Sequence, residues 1–529
     1  MLKDFYSFDE LKFSSPLIRD LINEKTTIEK YVNRFFDLDQ IQTQIKEKKF
    51  SNAQREVLVK ALKKQSQLST ISPATEQNIE VLKNDNSFTI TTGHQLNMLT
   101  GPLYSIYKIG QVIEICKVLK EQNPGQNFVP IFWMATEDHD FEEINHINLF
   151  GQKIAWEKEG QENVIAGRIE FNQMEGFLNE IESKFQNPEV KSKLDAFLAT
   201  YKTSKNMAEA TRKLVNHLFG EHGIVVLDGD DAELKKMFEQ IALQEVAQLQ
   251  VEKTVEATNA QLAADNYHQQ VYVRECNLFY IKPEGARERI KYHKEQFVIG
   301  DRHYTLDEIK ELIIQQPENF SPNALMRPLY QEQILPNLAY IGGGGEIAYW
   351  LQLKSTFEGF DVTFPMLRVR DSVLLIKQNE VDLLKELELD LMDLKLGVDQ
   401  ILKDMATENA QDELDLTDIR ETLFNVQQSL ITKADAIQKG MDGMIAAEFA
   451  KFAKSIDRIE SKMLKAEKGK FEKTQKQIQK ITDRYFPNGG FQERYENILM
   501  YYLAQPDIID KLIPKLQAEK TPVVRLIQL

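Results

Sequence analysis

The sequence predicts an α/β protein with a parallel-sheet core, inserted connecting segments and a long α-helical coiled-coil domain. Three observations support this fold class. Short apolar, β-branched runs alternate with helical patterns in the first part of the chain, and each run ends in glycine or polar residues. The helical patterns between the runs are long enough to connect parallel strands. Beyond residue 376, apolar residues recur three and four positions apart with charged flanks, which is typical of a coiled coil.

The first strand is predicted at residues 88–92, and it leads into a helix predicted at residues 103–120. Between them lie a glycine and three polar side chains, Gly93, His94, Gln95 and Asn97. A strand, a glycine turn and a helix start open a βαβ unit, in which ligands collect at the carboxyl end of the strand. Taken alone, a Gly-His pair is also compatible with a plain turn that carries a surface histidine.

Two further strands are predicted to end at the same edge of the sheet. Residues 128–135 form an almost wholly apolar run, as expected for a parallel strand that is covered on both faces. It is followed by a polar cluster, Glu137, Asp138, His139 and Asp140. Residues 337–341 form the other run, and it is followed by four glycines and an acid, Gly342, Gly343, Gly344, Gly345 and Glu346. Residues 223–230 and 361–369 are further predicted strands, residues 164–171 are predicted as strand-like, and residues 522–529 are predicted as a strand at a sheet edge. A long helix is predicted at residues 232–264.

These loops contain the residue types that a phosphate-bearing substrate requires. The glycine amides, with a protonated or hydrogen-bond-donating His94, would stabilise charge on a phosphoryl group. Arg327 could hold a carboxylate or a phosphate through two parallel hydrogen bonds. Asp138 or Glu137 could orient an attacking amine or accept its proton. We therefore predict catalytic roles for these four side chains, and substrate or nucleotide binding by the remaining polar and glycine residues of the three loops.

A metal site and a dinucleotide site were both considered. On one helix, His139, Glu142 or Glu143, and His146 would share a face that could bind a divalent ion. The pattern is not H-E-x-x-H, and acidic helix starts are common because they suit the helix dipole, so no metal site is predicted. No Lys-Ser or Lys-Thr follows the glycine run, and neither glycine turn reads G-x-G-x-x-G, which disfavours a Walker loop and a dinucleotide site.

The domain organisation follows from these patterns. Residues 1–376 are predicted to form the core, with N-terminal helices and an insertion at about residues 149–206. Residues 377–483 are predicted to form an antiparallel coiled coil, and residues 484–529 to return the chain to the core. Three apolar seams run through the coiled coil, at residues 384–405, 416–430 and 449–466, and the first includes Leu387, Leu391 and Leu394.

Composition excludes several function classes. The 529 residues carry a formal net charge of −16, which argues against a nucleic-acid partner. Two cysteines, Cys116 and Cys276, cannot form a disulfide framework and fit a reducing compartment. The N-terminus lacks the apolar core of a signal peptide, and no stretch approaches the roughly 20 apolar residues of a membrane span. A cytoplasmic protein without membrane contact is expected.

Five strings together resemble one protein family, the BshC family of bacillithiol biosynthesis. They are T-T-G-H-Q-L-N, A-T-E-D-H-D-F-E-E-I-N-H, S-P-N-A-L-M-R-P-L-Y-Q-E, A-Y-I-G-G-G-G-E-I-A-Y-W and P-N-G-G-F-Q-E-R. The resemblance covers essentially the whole chain. It implies a Rossmann-like core, a coiled coil that mediates homodimerisation, and a ligase that joins the carboxyl group of L-cysteine to the amine of glucosaminyl-malate in the last step of the pathway.

The core also resembles class I aminoacyl-tRNA synthetase-type nucleotidyltransferases. Their H-x-G-H motif would fall on Thr91 to His94, with the first histidine replaced by threonine and no lysine-rich signature loop. An amide bond requires an activated carboxylate, so ATP or ADP is expected as the nucleotide, through an acyl-adenylate or an acyl-phosphate. Two places for it stay open, the pocket beside His94 and a groove near the coiled coil.

Two other function classes stay open at the level of sequence. One is a scaffold protein whose coiled coil recruits a partner and whose pocket only holds ligand. The other is a nucleotidyltransferase that acts on another small acid and releases pyrophosphate without cysteine.

Overall fold

The computed structural model describes residues 3–11, 13–518 and 521–528, without the side chains of residues 411 and 412. These residues form two compact units. The larger unit comprises residues 4–375 and 493–527, and the smaller one comprises residues 376–492 with residues 3 and 528. No described helix is both long enough and apolar enough to cross a bilayer.

The strands of the described chain are β1 Phe5–Ser7, β2 Ser87–His94, β3 Asn127–Met134, β4 His146–Leu149, β5 Gln152–Ala155, β6 Val225–Asp228, β7 Leu278–Ile281, β8 Arg287–Arg289, β9 Lys291–His293, β10 Gln296–Ile299, β11 Arg302–Tyr304, β12 Phe320–Pro322, β13 Asn337–Gly342, β14 Met366–Val369, β15 Ser372–Ile376 and β16 Val523–Gln528.

The α-helices are α1 Pro16–Ile22, α2 Ile41–Glu47, α3 Asn52–Ser66, α4 Pro73–Val81, α5 Tyr104–Gln122, α6 Phe141–Ile144, α7 Met174–Ser183, α8 Pro188–Lys202, α9 Met207–Phe219, α10 Ala232–Gln248, α11 Gln250–Ala264, α12 Leu306–Gln315, α13 Arg327–Ile334, α14 Gly344–Trp350, α15 Lys354–Gly359, α16 Gln378–Glu386, α17 Leu391–Leu396, α18 Val398–Asn409, α19 Gln411–Leu414, α20 Thr417–Asp435, α21 Asp442–Lys468, α22 Glu472–Tyr485, α23 Leu499–Ala504 and α24 Ile508–Leu512.

The larger unit is built on a five-stranded sheet in the order β14-β13-β2-β3-β6. Every pairing in it is parallel, which confirms the fold class predicted from sequence. Apolar side chains of β2 and β13, such as Ile90 and Ile341, are fully buried, and α5 packs over them through Val112 and Ile115. These strands are buried because helices cover both faces of a parallel sheet.

A buried polar chain joins β2 to β13. The hydroxyl groups of Thr89 and Thr91 donate to Asn337 Oδ1 at 3.2 and 2.8 Å. Asn337 Nδ2 in turn donates to Glu332 Oε1 at 2.7 Å, and Lys48 completes the chain at 3.1 Å from the same carboxylate. Thr91 is therefore a structural residue in the sheet interior, at the position where the synthetase motif has its first histidine.

Three elements differ from the sequence prediction. The helix predicted over residues 232–264 is divided into α10 and α11, because Leu249 adopts a left-handed φ of 48°. Residues 164–171, predicted as strand-like, contain a 3-10 turn at Ala166–Arg168. The C-terminal strand β16 lies between β1 and β15 rather than at the edge of a sheet, and residue 529 of the predicted strand lies outside the described residues.

In the smaller unit, the first apolar seam is not one continuous helix. It is divided among α16, α17 and α18, and Gly397 separates the last two with a φ of 90°. Leu391 and Leu394 are buried, and α17 and α18 pack against α22. The second and third seams lie on α20 and α21, which contact each other across a short connection at residues 436–441 and form the coiled-coil hairpin.

Candidate active site

The centre of the parallel sheet contains a topological switch point. From β2 the chain passes through α5 to β3 on one side, and from β13 it passes through α14 to β14 on the other side. Because β2 and β13 are neighbours and their connections leave in opposite directions, a crevice opens at their carboxyl ends. A cavity of about 460 Å³ lies there.

This cavity, called here the main cavity, gathers residues from all three predicted loops. The predicted site residues in its wall are Gly93, His94, Gln95, Glu137, Asp138, Arg327, Gly343, Gly344, Gly345 and Glu346. Parallel strand order therefore brings loops that are distant in the chain to one edge of the sheet, as the sequence predicts.

Four predicted binding residues lie outside the wall of the main cavity: Asn97, His139, Asp140 and Gly342. Asn97 lines a smaller neighbouring cavity. The His139 ring packs against Phe279, with 5.9 Å between the ring centroids, and Asp140 is exposed. Gly342 is buried inside β13.

The helix face considered for a metal does not form. The helix α6 covers only Phe141–Ile144, and His146 is already the first residue of β4. His139 and His146 therefore do not share a helical face with Glu142 or Glu143. In the described chain, no group of three or more histidine, cysteine, aspartate or glutamate side chains is placed to hold a metal ion.

His94 lies at the end of β2 with its ring edge against Tyr104, at 5.1 Å between centroids. Its Nε2 atom is buried and has no hydrogen-bond partner among the described residues. Burial, reinforced by the nearby charge of Lys108, lowers the pKa of His94 from 6.5 to about 3. The imidazole is therefore neutral near pH 7. Of the two forms predicted from sequence, this favours the hydrogen-bonding ring over the protonated one.

A buried ion pair ties the two glycine turns together. Lys108 on α5 donates to the carbonyl of Gly93 and to Glu346 Oε2, the latter at 2.6 Å. Glu346 also accepts from Gly343 N and from the Tyr340 hydroxyl, both at 2.9 Å. Burial alone would raise the pKa of Glu346, but Lys108 and the Gly343 amide outweigh it and lower the pKa to about 2. With these partners, Glu346 stabilises the turn that carries it.

The two acids of the β3 loop are also engaged. Glu137 is paired with the buried ammonium of Lys235, which donates to the Phe320 carbonyl at 2.7 Å as well. Asp138 accepts from Gln95 Nε2 at 2.8 Å and from the backbone amide of the next residue. Asp138 has no cationic partner within 4 Å in the described chain and is the more available of the two.

Sequence reasoning missed thirteen lining residues, and eight of them carry aromatic rings, amides or charges: Tyr104, Trp133, Arg287, Asn323, Tyr340, Tyr349, Arg370 and Arg494. Arg370 directly follows β14, so the rule applied to the other strand ends would have found it. Arg494 ends the string P-N-G-G-F-Q-E-R, which follows no predicted strand. Arg287 belongs to β8 in another sheet, and nothing in its local sequence marks it.

The arginines give the main cavity an excess of positive charge. Arg370 is neutralised by Glu493 through hydrogen bonds of 2.7 and 3.0 Å. Arg287, Arg327 and Arg494 have no carboxylate within 4 Å in the part of the chain that the structure describes. Arg287 donates to the Pro322 carbonyl at 2.7 Å, and Arg327 lies among aromatic rings. An anionic ligand would supply the missing partners.

Family models match both parts of the chain. Residues 6–371 match the model described as Bacillithiol biosynthesis BshC, N-terminal Rossmann-like domain. Residues 373–523 match the model described as Bacillithiol biosynthesis BshC, C-terminal coiled-coil domain.

Curated relatives match over nearly the full length. Proteins named "Putative cysteine ligase BshC" are 40% identical in Flavobacterium johnsoniae, covering 99% of this chain and 98% of that protein, and 39% identical in Flavobacterium psychrophilum with the same coverage. The relative of the same name in Christiangramia forsetii is 35% identical and covers 98% of this chain and 97% of that protein.

A solved structure titled as a "putative arginyl t-RNA synthetase" from Campylobacter jejuni aligns at 10% identity with a TM-score of 0.22. It covers 89% of this chain and 100% of that chain. A TM-score this low supports no conclusion about the fold.

Proposed function

This chain belongs to the BshC family of bacillithiol biosynthesis, and from that premise we propose that it joins L-cysteine to glucosaminyl-malate through an amide bond. Its curated relatives are named as cysteine ligases, and a ligase is the enzyme class assigned here. The substrate pair and the bond formed are the proposal.

The charge of the main cavity carries the proposal. Three guanidinium groups, of Arg287, Arg327 and Arg494, line one crevice and have no carboxylate within 4 Å in the described chain. Burying such charges without a counter-ion is costly, so a ligand with several anionic groups is favoured. The malate part of glucosaminyl-malate carries two carboxylates, and a nucleotide carries phosphates. Both suit planar guanidinium donors.

Amide formation requires an activated carboxyl group, and ATP would supply that activation. The residues suited to hold its phosphates are Arg327 and the backbone of Gly343, Gly344 and Gly345, which line the main cavity. Transfer of adenylate to the cysteine carboxylate would release pyrophosphate and later AMP. Transfer of the terminal phosphoryl group would release ADP and later inorganic phosphate. In either route the amine displaces the leaving group and loses one proton.

One side chain is suited to form a hydrogen bond with the reacting groups, and another is suited to orient the amine and accept its proton. Neutral His94 has an unpartnered Nε2 in the wall of the main cavity, so the ring can accept or donate one hydrogen bond there. Asp138 is suited to orient the amine, since its carboxylate has no cationic partner within 4 Å in the described residues. Glu137 is less suited because its carboxylate is paired with Lys235.

The test is product analysis with the purified full-length chain. L-cysteine, glucosaminyl-malate and ATP are expected to yield bacillithiol, detected by mass, together with either AMP or ADP in equal amount. Deletion of the gene is expected to abolish bacillithiol and to make glucosaminyl-malate accumulate. Absence of the amide product together with a normal thiol pool in the deletion strain would overturn the proposal.

We also propose that the chain forms a homodimer through the coiled-coil hairpin. The observation that supports this is the set of exposed apolar side chains on α20 and α21, including Phe424 and Phe452 at 58% exposure each. Exposed apolar residues at heptad spacing are typical of helices that pack against a partner helix.

A further inference from the structure

A second cavity of about 290 Å³ opens beside the main cavity. We call it the side cavity. The two cavities share three wall residues, Gln95, Tyr104 and Arg494. The rest of the side cavity is lined by Asn97, Gly101, Pro102, Glu143, His146, Ile147, Asn148 and Tyr495.

The wall of the side cavity carries one negative and one positive side chain. Burial lowers the pKa of His146, so this ring is neutral near pH 7. The charged wall residues are then Glu143 and Arg494. Neither has an oppositely charged partner within 4 Å in the described part of the chain. Glu143 accepts one hydrogen bond, from Gln95 Nε2 at 2.8 Å. A small ligand with one positive and one negative group would complement this pair.

Asn97 adds a buried acceptor without a partner. The residue is 8% exposed, and its Oδ1 atom has no hydrogen-bond partner among the described residues. Its side chain packs directly against Gly101, where a Cβ would lie 2.5 Å from Asn97 Cβ. A buried amide oxygen without a donor is costly, so a donor from a ligand would stabilise it.

We propose that the side cavity is the subsite for a free α-amino acid, with its ammonium group held by Glu143 and Asn97 Oδ1 and its carboxylate by Arg494. Arg494 lies in the walls of both cavities, so the carboxylate would face the main cavity, where the second substrate and the phosphates bind. Gln95 links the two, because the same amide nitrogen donates to Asp138 and to Glu143 at 2.8 Å each. This assignment rests on the proposed ligase function and names where the cysteine binds.

The test is calorimetric binding to the full-length chain, with L-cysteine and glucosaminyl-malate titrated separately under reducing conditions. Glu143→Gln and Asn97→Leu are expected to weaken L-cysteine binding roughly tenfold or more and to leave glucosaminyl-malate binding unchanged. Asn97→Asp is expected to retain L-cysteine binding, because it keeps an acceptor for the ammonium group.

Glu142→Gln, at an exposed neighbour outside both cavities, is the matched control and should change neither affinity. N-acetyl-L-cysteine, which lacks the ammonium group, should bind the unaltered chain more weakly than L-cysteine.

Several outcomes would overturn the assignment. One is unchanged L-cysteine binding in both Glu143→Gln and Asn97→Leu. Another is a loss of ATP binding, instead of L-cysteine binding, in these variants, since the side cavity would then serve the nucleotide. A third is no detectable L-cysteine binding by the unaltered chain at millimolar concentration, with or without glucosaminyl-malate. These are binding results, so they are separable from a failure to form the amide product.

Discussion

At the scale of single residues, the surroundings of His94 determine its protonation state. A solvated histidine titrates close to neutral pH, whereas burial lowers the pKa of His94 to about 3. The neutral ring places an unpartnered nitrogen in the wall of the main cavity. It can therefore form a hydrogen bond with a substrate group without first losing a proton.

His94→Gln is expected to lower the turnover number about a hundredfold or more, because the amide does not place a hydrogen-bonding nitrogen where His94 Nε2 lies in the wall of the main cavity. The fold should be retained, since His94 Nε2 makes no hydrogen bond in the described chain. Turnover and thermal unfolding of the purified variant are the measurements. His303→Gln, at an exposed histidine in another sheet, should match the unaltered chain in both. Full activity in His94→Gln would refute the assigned role.

The lowered pKa also predicts how stability depends on pH. The unfolded chain protonates His94 near 6.5 and the folded chain only near 3, so the unfolded state binds more protons between these values. The contribution of this group to stability is complete above pH 6.5 and is lost as the pH falls towards 3. Urea unfolding at a series of pH values should show that His94→Gln loses less stability on acidification than the unaltered chain does. Equal losses would contradict the assignment.

At the scale of elements, the turn before α14 does not require a glycine at position 343 for its own folding. Gly343 has a φ of −71°, and a Cβ built there would lie 3.5 Å from Glu346 Oε2, an ordinary contact. Gly101 differs, because its φ is +66° and a Cβ would approach Asn97 Cβ to 2.5 Å. Backbone conformation thus explains the second glycine but not the first, for which ligand access is the proposed reason.

Gly343→Ala is expected to change the free energy of unfolding by less than about 1 kcal/mol while lowering nucleotide affinity, because the added methyl group occupies the wall of the main cavity. Gly101→Ala is the contrasting variant and should destabilise the chain by more than about 1 kcal/mol. Denaturant unfolding and ATP titration of both variants provide the comparison. Unchanged ATP affinity in a stable Gly343→Ala variant would contradict a ligand at this turn.

At the scale of the whole molecule, the smaller unit has two sets of apolar side chains. One set is buried in the unit itself, and the other is exposed on the hairpin, where a partner could bind. Leu391 and Leu394 are about 1% exposed, so polar substitutions there test the folding of the unit and not its pairing. On α20 and α21, apolar side chains such as Ile419 and Ile459 stay 49% and 53% exposed. A partner helix would bury these side chains.

Phe424→Asp is expected to shift the sedimentation coefficient from that of a dimer to that of a monomer, because it places a charge where apolar area would be buried. Asn425→Asp, the neighbouring polar position on the same helix, is the matched control and should leave the sedimentation profile unchanged. Helix content by circular dichroism should be similar in both. A dimeric Phe424→Asp variant would place the association surface elsewhere.

The sequence by itself determined the parallel sheet, the glycine turns and the meeting of three loops at one edge. Each depends on local information, namely apolar runs that fix the strands and turn residues that end them. Strand order then follows from few alternatives, since parallel strands joined by helices place their carboxyl ends together.

Only the tertiary structure decided which side chains are free. His94 and Glu346 look alike in sequence as polar residues after a strand, yet one has an unpartnered nitrogen and the other is paired with Lys108. Arg287 lines the main cavity from a different sheet, and its local sequence pattern does not predict this position. The physical reason is that pairing, burial and the resulting pKa depend on contacts between residues far apart in the chain, which sequence spacing does not encode.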